Sequence, residues 1–552
     1  MRFSVTRKMR SKLPLHYRWQ LFVCVRSLLY QRSFAVPWIL LEADGLGARV
    51  ASQIRRGAVL SYATVIFNAL AGLLYTPWMV STIGSDHYGL YTLAISIINI
   101  FVMDFGLGDA VSRYLSKYYA EGDERAANEF VGMVLKLYLG IAALLFVVLL
   151  AVYLNVDTIY ARLSPDQLVV FKRLFVVIAL YSVVSFPLAS LNGMLTANEL
   201  FVKLNACNLV QRVLTVGLIV VSLVMGAGVY ALVVVNAAVG LVFGAIKIAI
   251  VRHDTGISPT FSKSGDLRVR EVLGFSAWTM VVQLAQRFIF TLMPSVIAMV
   301  SSSQEIAVFG LASSLESYVW TVANALNGMF MPKVTRVLHG DEPERSMQSL
   351  AVRVGRVQLL ITGAIIIVFA AIGEDFVTCW VGPEYDTLWL SALLLILPEL
   401  IELPTMIEGT ALVAAGRVKE RGLVYIVMAA TNLILGYVLS GVFGAVGACL
   451  AICIAYFVRT AGMCVFYTRF LGFRLGSFVR DTYVGWLMPA IVTVAVGIAM
   501  SRVLPFTGWT RFAVEAIVET AVYCASCWAF TLDTYEREQI LHLSRKMLQI
   551  GR

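Results

Sequence analysis

The sequence predicts an all-α polytopic membrane protein of about fourteen transmembrane helices. Three observations predict it. Of the 552 residues, 59% are hydrophobic and 14% are charged, with a mean hydropathy of +0.80; soluble chains run at about 45–50% apolar and about 25% charged. The apolar residues gather into runs of roughly 20, the length an α-helix needs to cross about 30 Å of hydrocarbon. Lys and Arg, which give a net charge of +10, fall in short segments on alternate sides of these runs, as the positive-inside bias demands. The charge is therefore read as topology, with no nucleic-acid partner. One soluble core of this size would also exceed the ~250–300 residues at which cores stop growing.

Taken in order, residues 1–57 carry 11 basic and 2 acidic residues among aromatics such as Tyr17, Trp19, Phe22 and Trp38. Arg26 interrupts the apolar stretch from Leu21 to Tyr30 and no small-residue cleavage site follows, so a signal peptide is not expected. Two readings stay open: a basic helix lying on anionic lipid, or a disordered extension from a start placed upstream. Six spans follow at 58–80, 88–110, 131–154, 170–193, 204–225 and 229–251, an N-lobe over 58–251. Six more, at 272–298, 304–331, 352–372, 388–412, 421–442 and 445–468, form a C-lobe over 272–468. Two spans at 482–504 and 510–531 precede a short tail, 532–552. The Met225–Val229 and Gly441–Ala445 stretches leave room only for tight helical hairpins.

With the amino terminus in the cytoplasm, the cytoplasmic segments hold 34 Lys and Arg. The opposite side holds five, Arg162, Lys172, Arg173, Arg502 and Arg511. So large an asymmetry sets the orientation and places both termini in the cytoplasm. No hydrophilic domain interrupts the spans, so the chain's work is expected between its helices.

An internal repeat divides the spans. Pro77 is answered by Pro294, Tyr88-Gly89-Leu90 by Phe309-Gly310-Leu311, and Gly122-Asp123-Glu124 by Gly340-Asp341-Glu342, at separations of 217, 221 and 218 residues. Spans 1 and 7 start on the same side, so the repeat is parallel. Two six-helix lobes facing each other, with two extra helices, give the plan on which many transporters alternate access. Architecture of this kind points to a transporter and leaves the cargo open.

Ile83-Gly84, Tyr88-Gly89-Leu90-Tyr91, Asp104-Phe105-Gly106-Leu107-Gly108 and Arg113-Tyr114 together resemble the opening of the polysaccharide-transporter (Wzx-type) branch of the MOP exporter superfamily. The resemblance extends over roughly residues 55–531. It implies a flippase, not an enzyme, that moves undecaprenyl-diphosphate-linked oligosaccharide across the bacterial inner membrane for O-antigen, capsule or exopolysaccharide synthesis. It further implies ion-coupled alternating access driven by an H⁺ or Na⁺ gradient, contact with membrane lipid, and other polysaccharide-assembly proteins as partners. The MATE-like antiporter branch commonly carries an acid in its first helix, and the lipid II flippase branch a cation. The first span here offers Thr64, Asn68 and Thr76 with no charge. These two branches are the alternative functions.

A charge in the bilayer core costs at least ~2.5–3.5 kcal/mol, so it faces a cavity or a partner. The basic candidates are Lys136, Arg212, Lys247, Arg287 and Arg459. Arg287 lies mid-span with Gln283 four residues before it, on one helix face. Arg212 stands beside Gln211 near Asn205 and Asn208. Guanidinium groups grip phosphate oxygens bidentately, so Arg287, Arg212 and Gln283 are the expected diphosphate and glycan ligands. The competing reading is an intramembrane ion pair. Lys136, Lys247 and Arg459 lie nearer the cytoplasmic ends, where snorkelling is the simpler account. Among the acids Asp104, Glu316, Glu399, Glu402, Glu408, Glu515 and Glu519, the set Glu399, Glu402 and Glu316 is expected to couple the ion. Glu399 and Glu402 are three apart between Pro398 and Pro404, which should break the helix and free carbonyls. Pairing with Arg287 or another base is the competing reading. Asp104 suits a cap. Asn68, Asn99, Asn192, Asn324 and Asn327 suit either a hydrophilic cleft or interhelical contacts.

No GxxxxGK[ST] occurs, so ATP hydrolysis is not expected. No HExxH or similar cluster occurs and the five histidines fall in loops or tails. No metal or cofactor is expected. Of the eight cysteines, all but Cys24 and Cys379 lie in apolar runs, where Cys acts as a small hydrophobe.

Overall fold

The computed structural model describes residues 60, 64, 67–68, 71–101, 107–260, 266–324, 334, 336–337, 343–503, 508–533 and 536–538. Residues 1–57, Asp104, Asn327 and the Gly340-Asp341-Glu342 copy of the repeat lie outside them. All regular structure among the described residues is helical. Helix α1, described continuously over 71–83, ends at residue 83, and Gly84, at φ +84°, turns the chain into α2 (Ser85–Phe101). There follow α3 (Leu107–Glu121), α4 (Glu124–Leu154), α5 (Pro165–Ser185), α6 (Ser190–Ala197), α7 (Phe201–Val224) and α8 (Tyr230–Thr255). The rest comprises α9 (Asp266–Val300), α10 (Ser303–Asn324), α11 (Pro343–Trp380), α12 (Leu388–Ile396), α13 (Glu399–Glu402), α14 (Met406–Ala414), α15 (Val418–Leu471), α16 (Leu475–Val503) and α17 (Gly508–Ser526).

The sequence explains the ends of several of these helices. Asp123 accepts from the amide of Ala126 and caps α4. Ser164 and Gln167 form a reciprocal capping box on α5, with Pro165 at the first helical position. Gly226 and Gly228, both at positive φ, make the hairpin between α7 and α8. The longest assigned helix, α15, has 54 residues and would measure roughly 80 Å if straight. It folds back at Gly444 (φ 57°, ψ −131°). A Cβ on Gly436 would stand 4.0 Å from the Cβ of Ala451, and one on Gly462 3.1 Å from Val424. Its two halves are therefore an antiparallel hairpin, as the Gly441–Ala445 spacing suggests.

Nine helices among the described residues are long and apolar enough to cross a membrane, or ten if the pair Leu388–Glu402 and Met406–Ala414, bent by 57°, is one broken span. Their outer faces are apolar. Only 17% of the most apolar window of α7 is buried within the protein, and Val213, Leu214, Leu218 and Val221 face outward from it. Such a face in water would aggregate; against acyl chains it is solvated.

Helices α2 and α10 sit at the centre. Leu90, Leu93 and Ala94 of α2 and Ile306, Ala307, Leu311 and Ala312 of α10 are fully enclosed. The two cross at the glycines that the repeat matches. A Cβ on Gly89 would lie 2.0 Å from the Ser303 carbonyl oxygen, and one on Gly310 would lie 2.9 Å from Thr92. Only glycine admits so close an approach. Hydrogen bonds bind the two halves of the chain at the Gly84 end. Ser303 Oγ donates to Asp86 Oδ1 (2.5 Å) and accepts from Gln167 Nε2 (2.8 Å). Trp380 Nε1 donates to the carbonyl of Leu73 (2.6 Å).

Candidate functional site: a buried acid cluster

Pro398 and Pro404 bracket α13, a single turn set between two breaks. A proline cannot donate to the helix ladder, and the freed carbonyls are taken up locally. Tyr483 Oη donates to the Leu400 carbonyl (2.9 Å), and Thr405 Oγ1 donates to that of Ile401 (2.9 Å). The turn is thereby held rigid, and it presents Glu399 and Glu402 to α10 and α15.

Glu316 of α10 meets them. Its carboxyl faces that of Glu399, and the charge of Glu402 reaches both. Two carboxyls this near share a site only with a proton or cation between them. Glu399 is 3% exposed and neither of its oxygens receives a donor from the described residues. Glu402 instead pairs with Nη2 of Arg459, which is itself 3% exposed. The Arg459 guanidinium lies 4.5 Å from the ring centre of Tyr456 and 5.5 Å from that of Tyr425. Arg421 Nη2 donates to Tyr425 Oη (3.3 Å). Glu316 and Glu399 thus face each other beside a Glu402 that is already paired with a buried guanidinium, a setting suited to a proton or cation between the first two. A cavity of about 210 Å³ runs from this cluster toward the start of α15, past Gln286, Thr405, Arg421 and Thr460.

The other face of α10 carries Tyr318. Its hydroxyl fills the notch at Gly72, where a Cβ would stand 1.7 Å away, and it bonds Thr76. The charge of Arg212 reaches Tyr318, Tyr75 and Tyr91, which lie on α10, α1 and α2. Arg212 therefore stands near the place where α1, α2 and α10 meet. Glu316 and Tyr318 are two residues apart, about 200° around a helix, so α10 separates the acid cluster from Arg212.

The structure brings together Glu316, Glu399 and Glu402, and sets Arg212 apart, near Tyr75, Tyr91 and Tyr318. Gln283 and Arg287 share an exposed face of α9, while Gln286 between them lines the acid cavity. The other base that the competing reading allowed is Arg459, which pairs with Glu402 and, being buried, does not snorkel. The Lys247 ammonium donates to Asn192 and Asn208, both at 3.0 Å. Arg459 was detectable only weakly, as Tyr456 three residues before it on one helix face. Glu408, fully buried with neither oxygen partnered among the described residues, lies farther along the broken segment. A larger cavity, about 1220 Å³, lies between α11, the start of α16 and the chain after α17. It shares no residue with the acid cluster, so its size does not make it the site.

A bundle of apolar helices that encloses buried charged side chains defines a multi-pass membrane protein. Residues 54–337 match the family described as polysaccharide biosynthesis protein, and the chain belongs to that family. It is 24% identical over 494 residues to the uncharacterized membrane protein EpsK of Bacillus subtilis (strain 168), covering 85% of this chain and 93% of that one. Its fold is similar to the lipid II flippase MurJ in an inward closed conformation, with a TM-score of 0.65, 13% identity, and 86% and 98% of the two chains covered. It is also similar to the inward-facing conformation of a multidrug resistance MATE family transporter of the MOP superfamily, with a TM-score of 0.61, 16% identity, and 74% and 94% covered.

Proposed function

We propose that this protein is a flippase that carries lipid-diphosphate-linked oligosaccharide across the bacterial cytoplasmic membrane for surface polysaccharide synthesis. Both termini face the cytoplasm, and the Gly84 end faces outward. The six-span lobes over 58–251 and 272–468 rock about the α2–α10 crossing. Family membership supports the cargo class. The observation that carries the mechanism is the meeting of Glu316 with Glu399 beside the Glu402–Arg459 pair, separated by one helix from Arg212. In this reading Arg212, with Arg287 and Gln283 of the exposed α9 face, binds the diphosphate and first sugars in a cleft between the lobes. Loading H⁺ or Na⁺ between Glu316 and Glu399 relieves their repulsion and moves α10, which reshapes the cleft.

The test uses cells lacking the gene. Lipid-linked oligosaccharide should accumulate facing the cytoplasm while a surface glycan is lost, and the intact gene should restore both. Restoration without Arg212 or Arg287 would keep the flippase and remove the diphosphate role from the omitted residue. Unchanged glycans with altered efflux of a small cation would favour the MATE-like antiporter instead.

A further inference from the structure

A second polar seam lies outside the acid cluster, where α17 packs against α11 and α16. Arg511, Glu515, Glu519, Tyr523, Cys527 and Thr531 recur at every fourth position. Arg511, nearest the Gly84 end, donates from Nε to Glu515 Oε1 (3.0 Å), and its Nη2 lies 3.3 Å from Asp375 Oδ2 of α11. One turn deeper, Glu519 is fully buried and neither carboxyl oxygen meets a donor from the described residues. It occupies a notch at Gly497 of α16: a Cβ there would stand 2.8 Å from Glu519 Oε1 and 2.7 Å from Ala371. Thr493, one turn along α16, is also fully buried with its hydroxyl unpartnered.

Below Glu519 the seam is blocked. Tyr523 Oη donates to the Leu360 carbonyl (3.0 Å) and accepts from Trp486 Nε1 (2.8 Å). Its single proton is committed. Farther on, Thr531 Oγ1 donates to the Gly485 carbonyl (2.9 Å). The ionisable groups around Glu519 are thus Arg511, Glu515, Tyr523 and Cys527 on its own helix and Asp375 on α11. On α16 its neighbours, Gly497 and Thr493, carry no charge.

We propose that Glu519 is a proton-exchange site distinct from the Glu316–Glu399–Glu402 cluster, reached from the Gly84 end through Asp375, Arg511 and Glu515 and closed toward the opposite end by Tyr523. A proton arriving at the Glu515 carboxylate passes to the Glu519 carboxylate, and Glu515 returns to its pairing with Arg511. The neutral acid fits the notch without a counter-ion, whereas the carboxylate does not. Occupancy therefore sets how closely α16 and α17 pack on α11. Access from one side makes this an exchange site and not a leak.

The experiment is infrared difference spectroscopy on the purified full-length protein across a pH titration, following the carbonyl stretch of protonated carboxylic acids. The wild type should show a band that Glu519→Gln removes and Glu399→Gln leaves. Tyr523→Phe should also leave it, because Tyr523 lies beyond the site. Gly497→Ala should shift the band by crowding Oε1. It serves as the decisive variant if Glu519→Gln does not yield a monodisperse protein. A band untouched by every folded variant of Glu519 and Gly497 overturns the proposal, as does its loss on adding Na⁺ at constant pH, which would make the ligand a metal cation. No glycan is present, so the result stands whatever the cargo proves to be.

Discussion

Replacing Arg459 with Gln is the sharpest test of the acid cluster. The substitution leaves Glu402 facing Glu316 and Glu399 with no guanidinium among them. Removing one partner of a buried pair costs about 3–5 kcal/mol. Arg459 also gives up its stacking on Tyr456 at 4.5 Å and Tyr425 at 5.5 Å, each worth about 0.5–2 kcal/mol. A loss of about 4 kcal/mol is expected. The double variant Arg459→Gln with Glu402→Gln removes both charges and leaves neutral amides, so it should be less damaging than the sum of the singles. The coupling should be about 2–3 kcal/mol, at the upper end for residues in contact. The measurement is a double-mutant cycle from detergent-denaturation curves, followed by helix content in micelles. Costs that add to within ~0.5 kcal/mol would show that the two residues do not interact and would refute the cluster as drawn.

Further outcomes follow from the same geometry. Glu399→Gln removes the acid facing Glu316 and should lower surface glycan restored in deletion cells by about 5–150-fold, the range of a 1–3 kcal/mol coupling, at unchanged protein level; full restoration would exclude Glu399 from coupling. Asp86→Ala deletes the acceptor of Ser303 Oγ, costs about 1.5–3 kcal/mol of closure, and should raise the labelling of Ser85→Cys by a membrane-impermeant maleimide. Gly89→Val, whose Cβ would meet the Ser303 carbonyl at 2.0 Å, should raise that labelling as well. Gly444→Ala should destabilise by about 1–3 kcal/mol, since φ 57°, ψ −131° is closed to other residues and Glu305 Oε2 would lie 2.4 Å away; an unchanged unfolding midpoint would show that the hairpin turn relaxes freely.

Much of the fold was legible because the bilayer imposes length on helices and loops impose charge asymmetry. The hairpin at Gly444 and the broken helix at Pro398 and Pro404 could both be read from residue type alone. The meeting of Glu316 with Glu399 and Glu402 was anticipated as a role but not as a contact, since 83 residues separate Glu316 from Glu399. What could not be read was helix phase. In a soluble helix the polar face marks the outside; in a bilayer, lipid-facing and protein-facing sides are both apolar. Nothing in the sequence therefore tells that Gln286 faces the acid cavity while Gln283 and Arg287 face elsewhere. Arg459 was misjudged for a related reason: nearness to a helix end suggested escape to the interface, but its partner sits on another helix 57 residues earlier.

In the proposed mechanism the crossing of α2 and α10 at Gly89 and Gly310 is the fulcrum. Glu316 lies six residues beyond Gly310, a lever arm of roughly 9 Å at 1.5 Å per residue. A tilt of α10 by about 15°, a rotation within the range of known switching transitions, would carry Glu316 by about 2 Å. That is several times the tolerance of a hydrogen bond, so a modest rocking at the glycines suffices to break or make the Glu316–Glu399 contact. Because Gly89 meets the Ser303 carbonyl and Gly310 meets the Thr92 side chain directly, the pivot offers no groove that a differently shaped cargo would need to match. Cargo preference can therefore change along the cleft while the lever stays as it is.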